Sequence, residues 1–328
     1  MGKPAKISFK GISQVLKESF STFGDDKITK LSGSLAFSTI FSMGPLLIVV
    51  ISLSGIFVGR EAVEGKIYEQ LNGFLGADAA TQLQDIIKNA AISGKSKMAA
   101  IIGGIVLLFG ATAIFSEIQD SINGIWGIKP KPKKGWIQFL RNRVLSFSLI
   151  VALGFLLLVS LGVNTLIDVF NSRLQFWFPD VSVILFYIFN IILTASIVTL
   201  IFAVIFKVLP DANIRWKDVT AGAFTTALLF MLGKMAISFY ISKSHVGTTF
   251  GAAGALVVLL VWVYFSAIIL YFGAEFTKAW SVKYGLPILP NQYAVTTKIV
   301  EVETGKATIQ ENDKEVKEVK TENKEAGE

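Results

Sequence analysis

Long stretches without a single charge constrain this chain more than any other feature. Residues 31–59, 98–116, 144–167, 181–206 and 246–274 carry no Asp, Glu, Lys or Arg, and 219–242 carries only Lys234. Crossing a hydrocarbon core of roughly 30 Å takes about 20 apolar residues in a helix, and lipid-exposed backbone must satisfy its own hydrogen bonds. The expected architecture is therefore all-α and polytopic. Its six transmembrane helices are placed at about 31–59, 98–120, 144–168, 181–207, 219–242 and 246–276. Only 17% of residues are charged, against about 25% in an ordinary soluble domain, and the charges gather between the runs.

Their placement sets an orientation. Six lysines precede residue 31, the connector after the second run holds Lys129, Lys131, Lys133, Lys134, Arg141 and Arg143, and that after the fourth holds Lys207, Arg215 and Lys217. The alternate connectors offer Arg173 and Lys243, while residues 60–97 balance five basic against five acidic side chains. Basic loops stay in the cytoplasm, so both termini are expected there.

Three flanking regions complete the expected domain plan. Residues 1–30 form a cytoplasmic arm in which Ile12, Leu16, Phe20 and Phe23 recur at helical spacing between lysines; this predicts a helix lying in the lipid interface. Residues 60–97 predict two amphipathic helices capping the periplasmic side of the membrane domain, 31–284. Residues 285–328 are expected to be a disordered tail, since nine acids and five lysines after residue 300 leave little apolar surface to bury. Thr296 to Val302 could pair as a strand with a partner.

No cysteine and one histidine, His245, exclude disulfides and zinc sites built on Cys and His. No metal or cofactor is expected. No GxxxxGK followed by Ser or Thr occurs, so the chain would not hydrolyse ATP through a P-loop.

Ionisable groups at membrane depth are functional candidates by default. Glu117, Gln119, Asp120 and Asn123 end the second run, with Glu117, Asp120 and Gly124 on one helical face. Lys207 and Glu275 fall at a similar level, and a cluster of Glu117, Asp120, Lys207 and Glu275 is one geometric option. Lys234 lies deeper. Each has a bland alternative: acids tucked against basic loops, or a lysine snorkelling to the interface. Ser34, Ser38 and Ser42 repeat every four residues ahead of Pro45, and Gly247 and Gly251 open the sixth run. Such positions serve close helix packing or a broken helix beside a permeation path.

Four stretches carry a resemblance: GSLAFSTIFSMGPLL at 33–47, AIFSEIQDSINGIW at 113–126, AVIFKVLPDANIRWK at 203–217, and GAAGALVVLLVWVYFSAIILYFGAEFTKAW at 251–280. In that order they resemble the YihY/virulence factor BrkB proteins, once called ribonuclease BN-like. The resemblance spans about residues 15–284 and implies a six-span inner-membrane protein with cytoplasmic ends. It marks Glu117, Gln119, Pro210, Trp216 and Glu275 as shared positions, with Gly124 standing where many relatives carry a basic or polar residue.

Three functions are weighed. The first is a transporter or permease for an envelope lipid or small solute. The second is an envelope-biogenesis scaffold working through the tail and basic loops. The third is a membrane-bound ribonuclease, for which Glu117, Asp120 and Glu275 would have to hold a metal. The expected partners are membrane lipids and a second copy of the chain, not nucleic acid.

Overall fold

A computed structural model describes residues 7–41, 113–131, 179–244 and 254–297. Its elements in chain order are α1 (Phe9–Asp25), α2 (helical over 28–41), α3 (helical over 113–125), β1 (Ile128–Pro130), α4 (Pro179–Val208), β2 (Ala212–Asn213), α5 (Trp216–Ser244), α6 (Gly254–Tyr284), β3 (Leu289–Pro290) and β4 (Ala294–Thr296).

Three helices are long and apolar enough to cross a membrane: Ile188–Val208, Trp216–Ile241 and Leu256–Tyr284. At 1.5 Å per residue even the shortest extends about 31 Å. They correspond to the fourth, fifth and sixth expected spans. The third expected span and the 60–97 segment lie outside the described residues, as do most of the first and second. The sixth helix runs to Tyr284 rather than stopping near 276. Along α5, Trp216, Phe224, Leu228, Leu232, Met235 and Phe239 form an exposed stripe. That much contiguous apolar surface suits lipid and not water.

α5 packs against α4 on one side and α6 on the other. The approach to α6 is close because each helix sets a glycine opposite the other's threonine. A Cβ at Gly222 would sit 1.8 Å from Thr277 Oγ1, and one at Gly273 would sit 2.0 Å from Thr226 Oγ1. Both hydroxyls donate to their own helix, Thr226 to the Gly222 carbonyl and Thr277 to the Gly273 carbonyl, each at 2.7 Å. Neither threonine hydroxyl is left exposed to hydrocarbon, and the backbones close up through small residues.

The segment after α6 corrects the expected tail boundary. Residues 285–296, placed in the disordered tail, contribute β3 and β4, which pair antiparallel with β2 and β1: Asn213 opposite Leu289, and Lys129 opposite Val295. Backbone groups on three connectors are thereby paired within the chain itself. We call this the basic end, since Lys129, Lys131, Lys207, Arg215, Lys217, Lys278 and Lys283 gather there.

α1 starts at an N-cap in which Ser8 Oγ accepts from the Gly11 amide at 3.1 Å. Its buried stripe is Gly11, Val15 and Ser19, one position away from the expected apolar stripe. This small face meets Phe276, Ala279 and Tyr284 of α6, and Lys283 caps the contact by donating to the Gly11 carbonyl at 3.0 Å. Ile12 and Leu16 are half-buried, while Phe9 and Phe20 are exposed. The helix is docked on α6 and still offers an apolar edge.

Candidate functional site

Two polar centres sit at the basic end, and each is assembled from residues far apart in sequence. The first surrounds Asp211, in the connector between α4 and α5. Its side chain is buried, and three amides converge on it. Gln119 Nε2 and Asn123 Nδ2 donate to Oδ2 at 3.1 and 3.2 Å, and Asn291 Nδ2 donates to Oδ1 at 3.0 Å. Asn123 Oδ1 also accepts from the Asp211 backbone N–H at 2.8 Å, and the Asn291 N–H donates to the Asp211 carbonyl at 2.9 Å.

This arrangement follows from the pitch of α3. Gln119 and Asn123 are four residues apart, hence on one face, and that face turns inward with Ile122. The opposite face carries Asp120 and Gly124, both exposed. Gly127, at φ 66°, then reverses the chain into β1, while the Trp126 indole donates to the Ala274 carbonyl at 3.0 Å. Three donors offset the loss of water around this buried carboxylate.

The second centre lies where α1, α2 and α6 meet. Glu275 is 1% exposed. Its Oε2 lies 3.6 Å from Lys278 Nζ, which also reaches Asp26 Oδ2 at 3.4 Å in the turn between α1 and α2. Among the described residues Glu275 Oε1 makes no close hydrogen bond, although the Asp26 and Thr22 side chains lie within reach of this carboxylate. A buried carboxylate so sparsely bonded is costly and is held only where the surroundings enforce it.

Among the described residues no hydrogen bond or ion pair links Glu117, Asp120, Lys207 and Glu275 to one another, although Glu117 acts on Asp120 electrostatically. Glu117 is half-buried and Asp120 exposed. Lys207 donates to the Ile214 carbonyl and lies over the Trp216 ring at 5.7 Å. Lys234 is half-buried within α5. Ser34 is exposed and Ser38 half-buried; the buried face of α2 is instead Ser32, Leu35 and Ala36. Ser42, Pro45, Gly247 and Gly251 lie outside the described residues. Among the described residues, no three Asp, Glu or His side chains gather closely enough to hold a metal ion.

Sequence reasoning misses Asp211, Asp26, Lys278 and Asn291 as site residues. Asp211 has one signal, a lone acid after Pro210 in a short basic connector. The others have none. At the start of α5, Arg215 forks onto Asp218 at 2.8 and 3.1 Å, which holds the guanidinium pKa above its ordinary value. That pair closes the helix N-terminus.

Comparison with known proteins places these residues in a family. Residues 19–292 match the model described as virulence factor BrkB. A UPF0761 membrane protein of Haemophilus influenzae is 25% identical over 258 residues, covering 77% of this chain and 90% of that protein. UPF0761 membrane proteins of Pelodictyon phaeoclathratiforme and Bordetella petrii are 27% and 26% identical over 271 residues, covering 78% and 80% of this chain. The matched region is only 58% and 56% of those two proteins, so it spans little more than half their length. No solved structure matches.

Proposed function

The chain belongs to the virulence factor BrkB family and is a multi-pass membrane protein, and on that premise we propose that it is a permease of the bacterial inner membrane. It moves an envelope lipid or a small solute without an ATPase of its own. Six spans place both termini and the basic end in the cytoplasm.

The observation that carries this reading is Glu275, a carboxylate 1% exposed on a membrane-spanning helix, sharing one lysine with a second carboxylate, Asp26. A group so placed is costly to a protein whose only task is to pack. In a permease it is the group that alternates between partners. Close packing of α5 on α6 through glycine and threonine supplies two smooth surfaces on which one helix can shift against the other.

The test is reconstitution of the full chain into liposomes containing fluorescent phosphatidylglycerol in one arm and an entrapped small anion in the other. Faster transbilayer movement or efflux than in protein-free liposomes, reduced by Glu275→Gln, is the expected result. A folded, monodisperse protein that moves neither probe overturns it.

A scaffold is the second reading, favoured by the β1–β4 pair, which anchors the chain just ahead of its acidic C-terminal stretch. Deleting 298–328 abolishes partner recruitment by a scaffold and leaves a permease active.

A further inference from the structure

The centre at Glu275 holds two carboxylates for one ammonium. Lys278 is shared between Asp26 and Glu275, and exposure falls inward: the Lys278 and Asp26 side chains are 33% and 29% exposed, that of Glu275 only 2%. One helical turn further along the same face of α6, Tyr271 is wholly buried, and among the described residues its hydroxyl makes no close hydrogen bond, although Ser121 of α3 lies within reach. The polar atoms thus form a short series from solvent into the bundle, ending in two that make no close hydrogen bond among the described residues.

With all three groups ionised the trio carries one uncompensated negative charge, and burying such a charge costs several kcal/mol. Its surroundings do not offset it. Asp26, with Thr22, faces Glu275 from the end of α1, and Lys278 does so from its own helix. α5 presents uncharged Gly222 and Thr226 to this stretch of α6, and α3 presents the Trp126 indole. Glu117 lies within electrostatic reach of Tyr271 and is of the same sign. Among the described residues Lys278 is the one cation found to act on Glu275. A hard metal ion would want about six oxygen ligands, which two carboxylates and a hydroxyl do not provide.

We propose that Glu275 is the proton-carrying group of the permease, loaded from the basic end between Asp26 and Lys278. The proton adds to a carboxylate oxygen of Glu275, giving the neutral acid and taking the trio from −1 to 0. Release returns the carboxylate, and Tyr271 carries the next side-chain hydroxyl inward along α6. No bond between heavy atoms forms or breaks. This inference rests on the permease reading but names its coupling ion.

The test needs no substrate. Infrared difference spectra of the full chain in phosphatidylglycerol nanodiscs, with and without carbon-13 glutamate, report the carbonyl stretch of a protonated carboxylic acid. The expected band shifts with the label, disappears in Glu275→Gln, and weakens at the same pH in Asp26→Asn, where one carboxylate faces one ammonium. Asp26→Asn alone decides the matter if Glu275→Gln does not fold. A band unchanged in either variant overturns the proposal, and so does a band displaced by sodium chloride at constant pH. A glutamate that takes up a proton in a protein moving neither liposome probe would sink the permease reading and leave this site standing.

Discussion

Asn123 holds Asp211 by both ends of its amide: Nδ2 donates to the carboxylate at 3.2 Å, and Oδ1 accepts from the backbone N–H at 2.8 Å. One side chain thereby matches a donor and an acceptor of a connector 88 residues away. Both partners are buried, so removing the Asn123 side chain strands the Asp211 N–H and leaves Oδ2 with Gln119 alone.

Replacing Asn123 tests this link. Asn123→Ala removes both bonds and is expected to destabilise the protein by about 2–4 kcal/mol, since one acceptor is charged. Asn123→Asp keeps the acceptor for the N–H but sets like charges together, so it should be no milder. Unfolding in detergent, followed by the near-ultraviolet signal, measures both. A change within about 0.5 kcal/mol for Asn123→Ala would show that Asp211 finds another donor.

The glycine–threonine contacts between α5 and α6 make a steric prediction. At Gly222 an added methyl meets Thr277 Oγ1, with the Thr277 Cα only 3.1 Å away, so a rotamer change does not clear the space. Gly222→Ala is expected to cost about 1–3 kcal/mol. Gly24→Ala, where nothing lies within 4 Å, should stay within about 0.5 kcal/mol. Equal thermal midpoints for the two variants would contradict the packing.

Lys27 turns the chain between α1 and α2 at φ 52°, a left-handed conformation that costs a side-chain-bearing residue about 1–2 kcal/mol. Its side chain is exposed. Lys27→Gly is expected to raise stability, by less than that amount because glycine also gains freedom in the unfolded chain. A fall in the unfolding midpoint would mean that the lysine makes up for its backbone.

Two truncations separate the paired segment 285–296 from the residues beyond it. Removing 298–328 leaves β3, β4 and Asn291 in place, and its unfolding midpoint should match the full chain. Removing 286–328 unpairs β1 and β2 and takes one amide from Asp211, and should lower yield and midpoint together. Equal behaviour of the two would place the boundary back at residue 285.

The three long helices are legible because hydropathy is additive along a chain: a run such as 181–206 announces a span whatever surrounds it. The inward face of α3 is half legible. Gln119 and Asn123 stand out together with Glu117 and Asp120, but the period of a helix does not say which face turns inward. Docking on the Pro210–Asp211 turn makes that choice.

The tail boundary is hidden for a related reason. β4 is only three residues long, and its pairing with β1 depends on a strand more than 160 positions earlier. Ser34 and Ser38 match a packing pattern, yet α2 buries the neighbouring Ser32, Leu35 and Ala36, a rotation no periodicity records.

Membership in a membrane family, and the solvent that each long helix prefers, can be read from residues taken a few at a time, because transfer from water is a property of the local segment. Which carboxylate is satisfied and which is left wanting cannot. Asp211 and Glu275 are both acids at the basic end of a span, and they differ only in what the folded chain brings to them. Three amides converge on the first; a shared lysine and a second carboxylate meet the other. Electrostatics and hydrogen bonding act over a few ångströms in space, so only the tertiary fold decides who the neighbours are.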